Sequence, residues 1–258
     1  MTDYKLITVK HEWRVQTITL NRPEKRNALN LELCEELVDA LDRADHIREV
    51  GCIVLAASGP SFCAGMDLRE TADIDQVQLV GIHERLFTTI HRLRTPIIAA
   101  VHGAALAGGT GLTANAHIVI AKPDATFGLT EVRIGLWPVL IFRAVEHAMG
   151  ERRTVELSLT GRTFTAPEAR EYGLVTEIAD DPLKRACDIA LHIARLSPVA
   201  ISLGLDYVHQ IRGRDWEHAG RAARLTRNEL ISNDDFKEGS LAFLEKRQPS
   251  WPSLRDPD

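Results

Sequence analysis

AAVHGAALAGGTGL, running from Ala99 to Leu112, is the stretch whose reading decides the fold. It completes a short uncharged run, Pro96 to Val101, of the kind that forms a strand buried on both faces. Small residues follow, and Gly108 to Asn115 reads as a short helix before another strand at His117 to Ala121. A strand, a tight helix and a second strand packed so closely in sequence call for a layered sheet with helical crossovers.

The same rhythm extends in both directions. The first residues alternate like a strand, and Val15 to Leu20 (VQTITL) is a second, ending in the turn signal Asn21-Arg22-Pro23. Asn30 caps an amphipathic helix with Leu33, Leu37, Val38 and Leu41 on one face. Cys52 to Ala57 (CIVLAA) is a further buried strand, followed by the glycine loop GPSFCAGMDL, Gly59 to Leu68. Asp73 to Leu93 has helical spacing of Val77, Val80, Phe87, Ile90 and Leu93. Past Pro138 short helices are expected at Val139–Met149, Arg152–Leu159 and Pro167–Glu171, with a strand at Leu174–Ile178. Longer ones follow at Pro182–Leu196, Pro198–Gln210, Asp215–Ile231 and Asp234–Lys246. The expected organisation is an α/β core over residues 1–195 and a C-terminal helical region over 196–258.

Composition narrows the function classes. At 258 residues the chain can bury a large core, and 45% hydrophobic with 26% charged residues is ordinary for a globular protein. A formal net charge of −5 argues against a general nucleic-acid binder, while leaving room for a local basic patch. Cys34, Cys52, Cys63 and Cys187 are scattered, with no zinc spacing, so neither a metal site nor a disulfide frame is expected and the compartment reads as cytoplasmic. The N-terminus lacks a signal layout, and the apolar stretch Ala99–Ala121 is broken by Gly103, Gly108, Gly109 and Gly111 and by His102, Asn115 and His117. No membrane partner is expected.

The chemistry rests on backbone donors and one acid. Glycine at a strand-to-helix junction lets a ligand approach the chain, and the helix start adds orphan N–H groups and the positive dipole end. Gly65-Met66 and Gly108-Gly109 each follow a strand in this way, so two N–H groups could converge on one carbonyl oxygen. The alternative is that these glycines only permit tight turns. FGLTEVRIG, Phe127 to Gly135, carries Glu131 among apolar neighbours: either a desolvated acid suited to proton transfer or a solvated helix-start carboxylate. His83, His102, His117 and His147 lack a partner at a recognisable spacing, as does Cys63 for a nucleophile's role.

Taken together and in order, the segments resemble the enoyl-CoA hydratase/isomerase (crotonase) superfamily. The resemblance runs through NRPEKRNALN (Asn21–Asn30), SFCAGMDL (Ser61–Leu68), TPIIAAVHGAALAGG (Thr95–Gly109) and FGLTEVRIG. It continues through LTGRTFTAPEAREYGLV (Leu159–Val175) and KEGSLAFLEKR (Lys237–Arg247). It implies a crotonase-like spiral of ββα units with a C-terminal helical region, assembled as a homotrimer or homohexamer. The implied substrate is an acyl-CoA thioester, with coenzyme A part of the substrate and no separate cofactor. By resemblance the backbone N–H groups of Met66 and Gly108 hold the thioester oxygen. Lys25, Arg26 and Ala64 match contacts to the CoA adenine and phosphates, and Phe243 and Lys246 match C-terminal positions that reach CoA, commonly on a neighbouring subunit.

One departure bears on the reaction. Hydratases of this family carry a first glutamate three residues after the oxyanion glycine, where this chain has Gly111; the second is retained as Glu131. The glycine-rich stretch usual after the second acid is replaced by WPVLIF, Trp137–Phe142, which makes Trp137 either a wall of the acyl pocket or a packed core residue. A single acid above an oxyanion hole suits double-bond isomerisation of an enoyl-CoA, which needs one base to take and return a proton. The alternatives are hydration, hydratase-lyase or decarboxylase chemistry with Glu131 alone, and, in another class, a non-catalytic acyl-CoA-binding protein.

Overall fold

In the computed structural model, which describes residues 3–70 and 76–254, the run ending in AAV is strand β4, Ile97–Val101, at the middle of a parallel array. The hairpin β1 (Ile7–Glu12) and β2 (Val15–Leu20) opens the sheet antiparallel, and β3 (Cys52–Ala57) pairs parallel to β2. Two short strands are numbered β5 (Ala104–Leu106) and β6 (Ile118–Ala121); β6 pairs β4 and a two-residue edge strand, β9 (Glu177–Ile178), completing the order β1-β2-β3-β4-β6-β9. That edge is shorter than the strand expected from Leu174; Leu174 and Val175 are instead buried after a turn. A second sheet of short strands, not foreseen from the sequence, joins β5, β7 (Thr126–Gly128) and β8 (Thr163–Thr165).

Alternation of side chains across the strands explains why CIVLAA is apolar throughout. Ile53 and Leu55 face one core with Ile18, Leu20, Ile97 and Ala99, under α1 (Leu31–His46) and α2 (Gln76–Arg92). Cys52, Val54 and Ala56 face the other with Ile98, Ala100 and Ile120, beneath Ala186 and Ala190. These alanines lie on a helix, Pro182–Ile193, whose small residues let it sit close to the sheet. The Asn30 side chain accepts the Leu33 N–H at 3.1 Å, capping α1 as its sequence requires. The helix expected from Asp73 is observed from Gln76, residues 71–75 lying outside those described.

The other helices are α3 (Gly108–Asn115), α4 (Val139–Met149), α5 (Glu151–Thr160) and α6 (Ala166–Glu171), followed by α7 (Pro182–Ile193) just described. Then come α8 (Pro198–Ile211), α9 (Trp216–Ser232) and α10 (Asp234–Glu245). Thr165 and Glu168 form a reciprocal capping box at α6. Among the described residues no single helix is long and apolar enough to cross a membrane, and no group of His, Cys, Asp and Glu has metal-binding arrangement.

Candidate active site

The two glycine segments are stitched side by side. Phe62 N–H donates to His102 O at 3.1 Å, Cys63 N–H to Ala104 O at 3.1 Å, and Leu106 N–H to Cys63 O at 2.9 Å. On its other edge the same loop takes the 26–29 segment: Ala64 N–H donates to Arg26 O (3.0 Å), Leu29 N–H to Gly65 O (2.7 Å) and Asp67 N–H to Leu29 O (3.0 Å). These bonds bracket Met66 while leaving its own N–H without a hydrogen-bond partner among the described residues. Gly108 is the first residue of α3, so its N–H is an orphan helix-start donor, likewise without a partner among them.

The approach of the two backbones demands small residues. A Cβ at Gly65 would stand 2.8 Å from Ala107 Cβ and 3.4 Å from Gly108 N, and one at Gly109 would overlap the Cys63 carbonyl. Just before the helix, Ala107 sits at φ 49°, ψ −117°, a region that disfavours a side chain. Its N–H donates to Gly128 O at 2.8 Å, which ties the start of α3 to β7 and hence to the Glu131 turn.

Behind Met66 lies a buried ionic web that the sequence reading did not single out. Arg22 Nη1 donates to Asp67 Oδ2 (2.6 Å) and to Ala28 O (3.1 Å), while Nη2 reaches Glu70 Oε1 at 2.9 Å. Asn30 Nδ2 donates to the same Glu70 oxygen at 3.0 Å, so the cap of α1 joins the web. The Arg22 and Asp67 side chains are only 9% and 8% exposed. Burial pushes the Asp67 carboxyl up, but hydrogen bonds from Arg22 and the Arg69 N–H outweigh it and hold the group below its usual range. The available signal was an aspartate directly after Met66 in an otherwise apolar loop, with an arginine before Pro23 to meet it.

Glu131 opens a 3₁₀ turn, Glu131–Ile134, closed by the Gly135 and Leu136 N–H groups on the Glu131 carbonyl. Its Oε2 is buried and takes no hydrogen bond. Desolvation raises its pKa above the ordinary glutamate value of 4.5. Glu131 thus stands half-buried at a helix start with one carboxyl oxygen desolvated.

At Gly111 the space of a side chain is already taken. A Cβ there would overlap Ile141 Cγ2, lie 2.8 Å from Ile141 Cβ and 3.0 Å from Phe87 Cε1. Ile141 on α4 and Phe87 on α2 thus close the position that a second acid would need.

The remaining sequence candidates divide. Lys25 and Arg26 are exposed on the turn after β2, and the Ala64–Arg26 bond brings Ala64 beside them. Trp137 is 37% exposed and stacks on Phe142 with ring centroids 6.4 Å apart, which removes the core reading and leaves it on the surface after the Glu131 turn. Phe243, 83% exposed, and Lys246, at φ 56°, belong to α10 and its C-terminus, and α10 packs on α9 and the 252–254 turn. Cys63 is fully buried, and desolvation pushes its thiol up to about 12, as suits an inert side chain. His102 Nε2 binds the Gly59 carbonyl at 2.9 Å, a structural role.

A mixed sheet with paired glycine loops and one desolvated acid defines an enzyme scaffold built around backbone donors, and comparison with known proteins gives it a family. The family model described as enoyl-CoA hydratase/isomerase matches residues 10–254. A mevalonyl-coenzyme A hydratase of Aspergillus fumigatus is 34% identical over 252 residues, covering 91% of this chain and 90% of that relative. An enoyl-CoA hydratase of Mycobacterium tuberculosis is 33% identical over 248 residues, 91% of each chain. The crystal structure of an enoyl-CoA hydratase from Bacillus anthracis superposes with a TM-score of 0.92 at 32% identity, covering 96% of this chain and all of that one. A Mycobacterium smegmatis enoyl-CoA hydratase superposes at 0.91 and 31% identity, covering 96% of this chain and 99% of that one. The chain belongs to the enoyl-CoA hydratase/isomerase family, and its fold is the crotonase fold.

Proposed function

We propose that this enzyme isomerises the double bond of an enoyl-CoA through a thioester enolate, with Glu131 as the single proton carrier. The filled space at Gly111 is the observation that carries this reading. The Glu131 carboxylate takes a C2 proton from a 3-enoyl thioester, and the electron pair moves through C1 onto the thioester oxygen. The Met66 and Gly108 N–H groups hold that oxygen, each donor lowering the barrier by about 3–4 kcal/mol. The neutral Glu131 then returns the proton to C4 as the dienolate collapses to the conjugated 2-enoyl thioester. A raised pKa suits both halves, since the acid formed in the first step must give its proton back in the second.

Lys25, Arg26 and Ala64 form the proposed CoA entrance, with Trp137 bordering the acyl side and Phe243 and Lys246 arriving from a neighbouring subunit of a trimer or hexamer. The second reading is hydration of a 2-enoyl-CoA with Glu131 alone, and the names of the relatives favour it. Supplying a 3-enoyl-CoA and a 2-enoyl-CoA separately tests the choice. Gain of conjugation from the first at a higher kcat/KM than loss of it from the second is expected. Hydration without isomerisation would overturn the proposal.

A further inference from the structure

A cavity of about 720 Å³ lies at the C-terminal end of α3, between α2, α4 and the last turn of α8. Its titratable lining is mostly basic, with His91, His117, His147, His209, Arg143 and Arg212 against Glu84 alone, and threonines and Asn115 between them. The carboxylates around it are engaged or at its rim. Glu146 pairs with Arg143 at 2.7 Å, Asp206 with Arg94 at 3.0 Å, and Asp45 accepts the Arg94 and Thr95 N–H groups, while Glu84 is exposed.

Arg212 is different. Among the described residues it meets no carboxylate, its Nη1 sits 2.6 Å from His91 Nδ1 and 3.0 Å from His91 Nε2, and its buried Nε has no hydrogen-bond partner. His209 Nε2 is also buried without a partner, and its ring centroid is 5.8 Å from that of His91. His117 Nδ1 accepts the Ile97 N–H at 3.0 Å, which leaves Nε2–H as its donor. Burial first, and then the charge of Arg212, holds His91 down to about 4, so at neutral pH the positive charge of the group rests on Arg212. A half-buried guanidinium among neutral imidazoles carries a desolvation cost that an anion would offset.

We propose that this cavity is a carboxylate-binding site anchored by Arg212, which His91 holds from one side, with His117 and His209 as neutral donors around it. A planar carboxylate matches the guanidinium fork and accepts from imidazole N–H groups at the same time. Two sources share that chemistry: a small free dicarboxylate, or the distal carboxylate of a dicarboxylic acyl thioester. The second source rests on the acyl-CoA reading above. It is favoured by Phe87, which lines the cavity and also stands 3.6 Å from the position of a Cβ on Gly108.

The test uses the full-length enzyme and two probes. Calorimetry with glutarate reads the free source. Competition binding of glutaryl-CoA against pentanoyl-CoA reads the acyl-borne one, and neither measurement requires turnover. The expected result is at least one positive arm: saturable glutarate binding, or roughly tenfold tighter binding of glutaryl-CoA, the scale of one charge-assisted pair. Either preference should disappear in Arg212→Met and weaken in His209→Gln, which keeps the proposal testable should the first variant fold poorly. If glutarate does not bind and the two thioesters bind alike, or if both variants bind as the wild type does, the site is overturned. Retained glutarate binding with no isomerase activity would sink the reaction proposed above and leave this site standing.

Discussion

The loop carrying Met66 and the turn carrying Glu131 meet at the start of the same short helix, yet they are held in opposite ways. Hydrogen bonds fix the Met66 loop on both edges, and a buried guanidinium clamps it from behind. The Glu131 carboxyl has a buried oxygen with no partner and a turn whose following residues, Val132, Ile134, Leu136 and Val139, are exposed. Donors that stabilise charge gain from being rigid, because reorganisation then costs nothing as the charge develops. An acid that must both accept and return a proton gains from a raised pKa, and at Glu131 burial outweighs the one hydrogen bond, from its own backbone N–H, that favours the carboxylate. In the proposed reaction that difference is a division of labour between preorganisation and proton transfer.

Removing the acid should have the largest effect. Glu131→Gln is expected to lower kcat by about 10²–10⁴-fold, the usual contribution of a positioned acid-base group, with CoA-thioester binding retained. The same variant should melt at a higher temperature at neutral pH. Because the folded-state pKa is raised, the native state holds this proton more tightly than the unfolded chain does. Wild-type stability therefore falls as pH rises from 4.5 through the folded value, and the glutamine does not pay it. In the proposed reaction the Glu131 carboxylate is the base, so the acid limb of the kcat/KM profile should lie above the ordinary glutamate range. A limb at or below 4.5 would show that Glu131 is not the base.

Breaking the clamp should act on the other partner of the comparison. Arg22→Met leaves Asp67 buried without its cation, a change that typically costs about 3–5 kcal/mol. Chemical denaturation should register that loss, and kcat should fall more than KM rises if the clamp sets the Met66 N–H. Restoring the second acid is a smaller perturbation. Gly111→Glu must displace Ile141 and should cost about 1–3 kcal/mol, the range for overpacking a core. Combining it with Ile141→Ala opens the space, and the double variant is expected to raise the hydration-to-isomerisation ratio. An unchanged ratio in a folded double variant would remove Gly111 as the determinant of the reaction.

Much of the fold was legible because strands buried on both faces read as unbroken apolar runs, as CIVLAA and PIIAAV do. The second sheet was not, because its three-residue strands Ala104–Leu106, Thr126–Gly128 and Thr163–Thr165 are too short for a period-two pattern. At the proposed site, the glycine loops and Glu131 stand out in apolar sequence, but the roles proposed for Met66 and Gly108 come from the family resemblance. What fills Gly111 was not legible, because Ile141 and Phe87 lie 30 and 24 positions away and reach it only through helix packing. The Arg22–Asp67 pair was hidden for the same reason, being 45 residues apart.

The smallest effect concerns the hinge between the two regions, Ala107. Its φ of 49° with ψ −117° costs a residue bearing a Cβ about 1–3 kcal/mol, whereas glycine enters that region freely. Glycine also loses more chain entropy on folding, by roughly 0.5–1 kcal/mol, which offsets part of the gain. Ala107→Gly is therefore expected to stabilise the enzyme by about 1 kcal/mol in denaturant titration. Its N–H bond to Gly128 would remain, so the start of α3 should keep its place against the Glu131 turn. If kcat/KM stays within a few-fold, the strain is incidental to catalysis. If it drops while stability rises, the alanine is what holds the Gly108 N–H at the angle the enolate requires, and rigidity of the donor side extends to its least comfortable residue.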